Sequence, residues 1–200
     1  MAAAGKVITG FSLPYVALYA TSNGTVTYSS GQKLARGVDV SISPEVGDDN
    51  VFYADNIAAE SVGGTFQGGT CELTVDGLLN SAEALIMGLP AATAETVGTA
   101  SVDIYEYGQN QSIPYVGIGF IVRYMSDGVT SYCPVLLTKC RFNTPETSAA
   151  TQEDDIDWQT QTLSAVLMRD DTANGVWKKI AEDQTSEAAA EAVIKHWLNV

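Results

Sequence analysis

The chain has one histidine, His196, only three cysteines, and no lysine or arginine between Arg36 and Arg123. Each shortage closes a class of function. A hydroxyl or thiol nucleophile needs a positioned general base, most often histidine. His196 falls in the last turn of a candidate C-terminal helix, where it complements the helix dipole as a surface residue. Neither a G-x-S-x-G elbow nor a G-x-x-x-x-G-K-[ST] phosphate loop occurs, and Gly117-Ile-Gly119 lacks the third glycine of a dinucleotide fingerprint. Zinc-type clusters of cysteine and histidine are missing too. The chain is therefore not expected to be an enzyme, and no metal or cofactor is expected.

Cys71, Cys133 and Cys140 are odd in number and show no C-x-x-C spacing. They read as free buried thiols in a reducing cytoplasm, not as a disulfide framework. No apolar run approaches the ~18 residues that cross a bilayer, so no membrane is expected. The opening MAAAGKVITGFSLPYVALYA has one lysine and is interrupted by Thr9, Gly10, Ser12 and Pro14. Residues 1–14 thus read as a partly extended N-terminal arm rather than an export signal. Without export, the sequons at Asn23 and Asn110 carry no meaning.

What the chain has in excess is negative charge. Its net charge is −14 over 200 residues, and the charge is unevenly placed. Gly37–Val122 holds 12 acidic residues and no cation, whereas the rest holds 12 acidic and 10 basic residues. Nucleic-acid binding relies on cationic groups that displace counterions, so tight DNA or RNA binding is disfavoured. Repelling DNA can itself be a function.

The length suits one domain spanning residues 1–200. Its pattern is mainly β with some helix (α+β), predicting an antiparallel β-sandwich or barrel with one or two packed helices. Asn23-Gly24, Asp127-Gly128 and Asn174-Gly175 each separate two apolar segments, a strong hairpin signal. Leu34, Val38, Val40 and Ile42 alternate with Asp39, Ser41 and Ser43. Cys71, Leu73 and Val75 alternate with Glu72, Thr74 and Asp76, and Val102 and Ile104 with Asp103 and Tyr105. Val116, Ile118, Phe120, Val122 and Tyr124 form another apolar face, with Gly117 and Gly119 behind. Such period-two alternation puts one face on a core and the other in water. Asn80 is the expected cap of a helix over Ser81–Met87 stopped by Gly88, and Thr185 or Ser186 caps a C-terminal helix over residues 185–199. Val193, Ile194, Trp197 and Leu198 supply its packing side.

Two segments read as irregular: Pro44–Phe66, a long insertion, and Pro145–Asp155, a polar connection. The first contains GDDNVFYADN, Gly47–Asn56, whose crowded acids invite a metal reading. Counted from Asp48 as a calcium loop, position 5 is Phe52, position 6 is Tyr53 instead of glycine, and position 12 is Ala59 instead of glutamate. The spacing fails. Asp154, Asp155 and Asp157 are a further acidic group, read as a solvated loop.

In order and spacing, the arm LPYVALY, the segment NGTVTYSSGQKLARGVDVSIS, PEVGDDNVFYADN, the strand ending ELTVDGL, and GVWKK before an alanine-rich helix are familiar. Nearly end to end, the chain resembles the phage major tail protein family, the tail tube subunits of phages with long non-contractile tails. The resemblance implies a β-sandwich with a helix and subunits forming hexameric rings that stack into a tube through which the genome passes. It implies no catalytic residues. It further implies placement in the virion tail after a stay in the host cytoplasm, and contacts with the tape measure, tail tip and tail terminator proteins. In that setting, Asp39, Glu72, Asp76 and Asp103 are expected to line an acidic lumen along which DNA slides without specific binding. Pro44–Phe66 is expected to be an inter-subunit loop, with Phe52 and Tyr53 as anchors beside Asp48, Asp49 and Asp55. An alternative is a soluble β-rich binding module for a carbohydrate or receptor at a tail tip, using Tyr105, Tyr107 and Tyr115 as an aromatic platform.

Overall fold

The computed structural model describes residues 5–109, 111–149, 151 and 158–200. In chain order, the strands and helices are β1 Val7–Ser22, β2 Thr25–Lys33, β3 Gly37–Val46, β4 Asn50–Ala54, β5 Ile57–Val62, β6 Phe66–Val75, α1 Asn80–Met87, β7 Thr93–Val97, β8 Ala100–Ile104, β9 Val116–Ser126, β10 Val129–Phe142, β11 Gln161–Met168, β12 Lys178–Ile180 and α2 Glu187–Leu198. The protein is mainly β with two helices. Eight strands form one antiparallel sheet in the order β2-β1-β9-β10-β11-β6-β3, with β12 also on β10. The pairs β4–β5 and β7–β8 are separate two-stranded ribbons.

The sheet curls until β3 returns against β1. A Cβ on Gly37 would lie 2.1 Å from the Phe11 ring, so only glycine lets the two strands pass so closely. The concave side encloses the main core, with Leu73 and Val75 of β6, Ile118 and Phe120 of β9, Leu137 and Phe142 of β10, and Leu163 and Leu167 of β11, closed by Ile86 and Met87 of α1. The convex side of β1, β9 and β10 carries a second core, in which Tyr15, Ala17, Ile121 and Leu136 meet Ala190, Ile194 and Leu198 of α2. Gly117 and Gly119 make that second layer possible. An added Cβ would stand 2.5 Å from the Tyr28 ring at Gly117 and 2.6 Å from Ile194 Cγ2 at Gly119. The glycines behind the apolar face of β9 are a helix seat.

The Asn23-Gly24 and Asp127-Gly128 hairpins form where the sequence predicts them. Asn174-Gly175 turns the chain, but not within a hairpin. β11 pairs with β10 at Lys139–Phe142 and β12 at Val135–Leu137, so β12 continues the line of β11 along one edge after an excursion over residues 169–177. Buried Asp170 holds that excursion, accepting from the Val176 and Thr172 amides and the Thr172 hydroxyl. Ser186 caps α2, its Oγ accepting from the Ala189 amide. At α1 the expected Asn80 cap is instead the first helical residue, and Leu79 precedes it without a side-chain cap. The expected N-terminal arm is in strand from Val7 onward, paired with β9. Val38 is exposed because the β3–β6 register shifts between Gly37 and Asp39, while Val40 and Ile42 still pack on the core. The three thiols are buried and free, and burial pushes Cys71 up to about 12, so it stays protonated and inert.

Two ion-pair clusters tie distant segments to the sheet. Lys6 Nζ lies 2.9 Å from Asp183 Oδ1 and over the Tyr124 ring, and Ser131 donates to the same carboxylate. Lys139 lies 2.8 Å from both oxygens of Asp171 and over the Tyr19 and Tyr115 rings. The bonds from Lys6 and Lys139 hold the Asp183 and Asp171 carboxyls below their ordinary range. A lowered folded-state value means stability that is present above the unfolded carboxylate range and lost as pH falls through the folded value. Asp183→Asn and Asp171→Asn should each lower stability at pH 7 by at most about 1 kcal/mol. The difference from the parent should shrink as pH falls through the carboxylate range and vanish below the folded value, which urea denaturation at pH 7 and at successively lower pH would read.

Candidate assembly surfaces

GDDNVFYADN is the first strand and turn of a hairpin, which corrects the expectation of an irregular loop over Pro44–Phe66. β3 itself runs to Val46 opposite Phe66. Beyond it the chain pinches: the Gly47 amide donates to the Thr65 carbonyl at 2.9 Å, and the Gly64 amide donates to Asp49 Oδ1 at 3.0 Å. Gly64 must be glycine, because a Cβ there would fall 1.7 Å from the Gly47 carbonyl oxygen. β4 and β5 then rise from this base and turn at Asp55-Asn56, both with positive φ (50° and 63°). Two left-handed residues in a two-residue connection match the twist of a hairpin. The aspartates thus divide their roles: Asp49 closes the base, Asp55 makes the turn, and Asp48 is exposed. Among the described residues no group of three histidines, cysteines or acids could hold a metal. Asp154, Asp155 and Asp157 lie outside the described residues.

The hairpin has no substantial contact with any other strand or helix of the subunit. Phe52, Tyr53 and Ile57 are 62, 66 and 66% exposed. The register puts Phe52 opposite Glu60 and Ala54 opposite Ile57, so Phe52, Ala54, Ile57 and Glu60 share one face; Tyr53 lies on the other with Ala58. An isolated two-stranded ribbon is marginal in water. Ile57 and Val62 also belong to this uncovered set, and the sequence reading missed them. No period-two pattern in Ile57–Val62 signals them. β7–β8 behaves alike: it pairs only with itself, and Val97 and Val102 are exposed, although Val102 and Ile104 were expected to face a core.

The four acids expected to line a lumen separate into two groups. On β6, Cys71, Leu73 and Val75 point into the core, so Glu72, Thr74 and Asp76 point out. The register places Ser41, Glu72 and Ser164 in one outward row, and Asp39, Thr74 and Thr162 in the next. Thr74 and Thr162 are bonded through their hydroxyls at 3.0 Å. Asp39 and Glu72 therefore share a face of short polar side chains that no helix covers. Asp76, at the end of that strand, is bonded to the Arg36 amide at 3.0 Å and to its Nε at 2.5 Å, which holds its carboxyl below the usual range. Asp103 lies apart on β8, near Leu79 and Asn80 at the start of α1. Arg141 stands on the same outward side of β10, opposite Val166.

The three tyrosines of the alternative reading do not form a free platform. Tyr107 donates to Glu83 at 2.6 Å, Tyr115 lies under Lys139, and Tyr105 is half-buried. No helix among the described residues is long and apolar enough to cross a membrane. No protein-family model matches the chain, and no curated protein matches it.

Proposed function

We propose that the protein is a structural subunit that polymerises with itself: a phage tail tube subunit whose hexameric rings stack into an acid-lined conduit for DNA. One observation carries the reading, the β4–β5 hairpin with Phe52, Tyr53 and Ile57 held away from their own subunit. Exposed apolar side chains gathered on an unsupported ribbon mark a surface that a partner covers. Aromatic residues of this kind populate interface cores. The hairpin can dock on a different surface of the next copy. Such a contact is heterologous, and it closes into rings or propagates as a polymer. The partners are first other copies of the chain, then the tape measure, tip and terminator proteins at the tube ends.

The uncovered polar face of β3, β6 and β11 fits the wall of such a tube. DNA carries one negative charge per ~1.7 Å of axis, so a cationic wall would hold it and an acidic wall lets it slide. The double variant Ser41→Lys, Glu72→Lys, on one outward row, should assemble and retain added double-stranded DNA at low salt, with retention lost as salt rises; parent tubes should exclude it. Co-sedimentation at two salt concentrations measures this. The proposal as a whole is tested by sedimentation velocity and negative-stain electron microscopy of the purified chain. Rings or tubes are expected with rising concentration, whereas a monomer at every concentration overturns it.

A further inference from the structure

The curled sheet does not close. Between β3 on one side and β1, β9 and β12 on the other runs a groove of about 330 Å³, with Phe11, Phe120, Val122 and Val40 inside and Ile8, Val38 and Lys178 at its margin. Ile8 and Val38 are exposed there, as is Ile180 on β12. We infer that this seam is the receptor for the β4–β5 hairpin of a second copy, an inference that rests on the self-assembly reading above and assigns its contact.

Shape and charge both favour that occupant. The hairpin face of Phe52, Ala54 and Ile57 is an apolar ridge, and the seam offers aromatic and branched side chains with no element laid over them. Glu60 sits directly across from Phe52 and gives the ridge one negative charge. The hairpin and its base, Gly47–Gly64, hold Asp48, Asp49, Asp55 and Glu60 and no cation. The seam margin carries Lys178, followed on β12 by Lys179, and two further cations lie against groove-lining residues, Arg123 beside Gly10 and Lys6 over the Tyr124 ring. Of these, Lys6 is engaged by Asp183, and Arg123 donates to the Thr9 carbonyl. Asp39 is the one acid lining the groove. Lys178, whose Nζ stands 5.8 Å from the centre of the Trp177 ring, is the margin cation with which the incoming Glu60 would pair. Donor and receptor are different surfaces of the same chain, so each subunit can give one hairpin and accept another, and the contact propagates.

Two arms test this. The first introduces Ile57→Cys and Val38→Cys together and oxidises the assembled protein. The native thiols are buried, and each single variant serves as the control. A ladder of covalent multimers is expected from the double variant, and covalent dimers from a mixture of the two singles. Assembly without any ladder overturns the seam assignment and leaves the self-assembly reading standing. So does a ladder formed only when Val97→Cys, on β7–β8, replaces Ile57→Cys. Failure of the unmodified chain to assemble at all overturns both. The second arm is charge reversal. Lys178→Glu should raise the concentration needed for assembly at least about tenfold, and adding Glu60→Lys should restore most of it. Equal assembly by Lys178→Glu and the parent, at unchanged thermal stability, contradicts the assignment.

Discussion

Phe52→Asp combined with Ile57→Asp should abolish polymerisation while leaving the melting temperature of the subunit within about 1 °C of the parent. Both side chains are largely solvated in the isolated subunit, and their hairpin makes no substantial contact with another strand or helix, so their replacement removes nothing from the core. In the assembly they would be desolvated anchors. Truncating such an anchor typically costs about 2 kcal/mol or more, and an aspartate adds an unpaired charge in an apolar contact. Two such changes per subunit correspond to a rise of roughly a thousandfold in the concentration needed for assembly, using ~1.4 kcal/mol per factor of ten. Sedimentation of the variant alongside a thermal melt separates the two effects. A fall in melting temperature of many degrees would show that the hairpin packs on its own subunit, contrary to the account.

The largest effects on stability are expected where α2 rests on Gly119. Its missing side chain is where Ile194 and Leu198 of α2 rest, with an added Cβ only 2.6 Å from Ile194 Cγ2 and 3.0 Å from Leu198 Cδ1. Gly119→Val should therefore cost about 3 kcal/mol, at the upper end of overpacking, or lift α2 off the sheet. Ile194→Ala leaves a void instead and should cost about 2–5 kcal/mol. Space opened by one change accommodates the other, so Gly119→Ala with Ile194→Ala should cost less than the sum of the singles. Urea denaturation of the four proteins gives that coupling. Strict additivity would mean that the helix does not rest on the glycine.

Much of the fold was legible because its signals are local. Asn23-Gly24 and Asp127-Gly128 sit between alternating strands, and turn chemistry and pattern agree there. Ser186 is followed by an acidic first turn and basic last turn, so α2 was readable from both ends. Gly117 and Gly119 were visible but not interpretable, since what they admit is a helix some seventy residues later in the chain. Asn174-Gly175 misled for a related reason: the turn is real, but the partner of β12 is β10, a non-local choice. Pro44–Phe66 looked irregular because its turn uses Asp-Asn rather than Asn-Gly, and its strands lack a buried face that would impose alternation. At the assembly surfaces, Phe52 and Tyr53 were legible as aromatics in an acidic loop. The shared face of Asp39 and Glu72 followed from strand period, whereas Asp103 depended on a hairpin that leaves the sheet.

A reconstruction of the assembled protein by electron cryo-microscopy tests the proposed acid-lined tube most directly. Stacked rings are expected, in which the β3–β6–β11 face turns Asp39 and Glu72 toward the bore and the β4–β5 hairpin reaches a neighbouring copy. A tube with those two carboxylates on its outer surface, or a hairpin left in solvent, would contradict it.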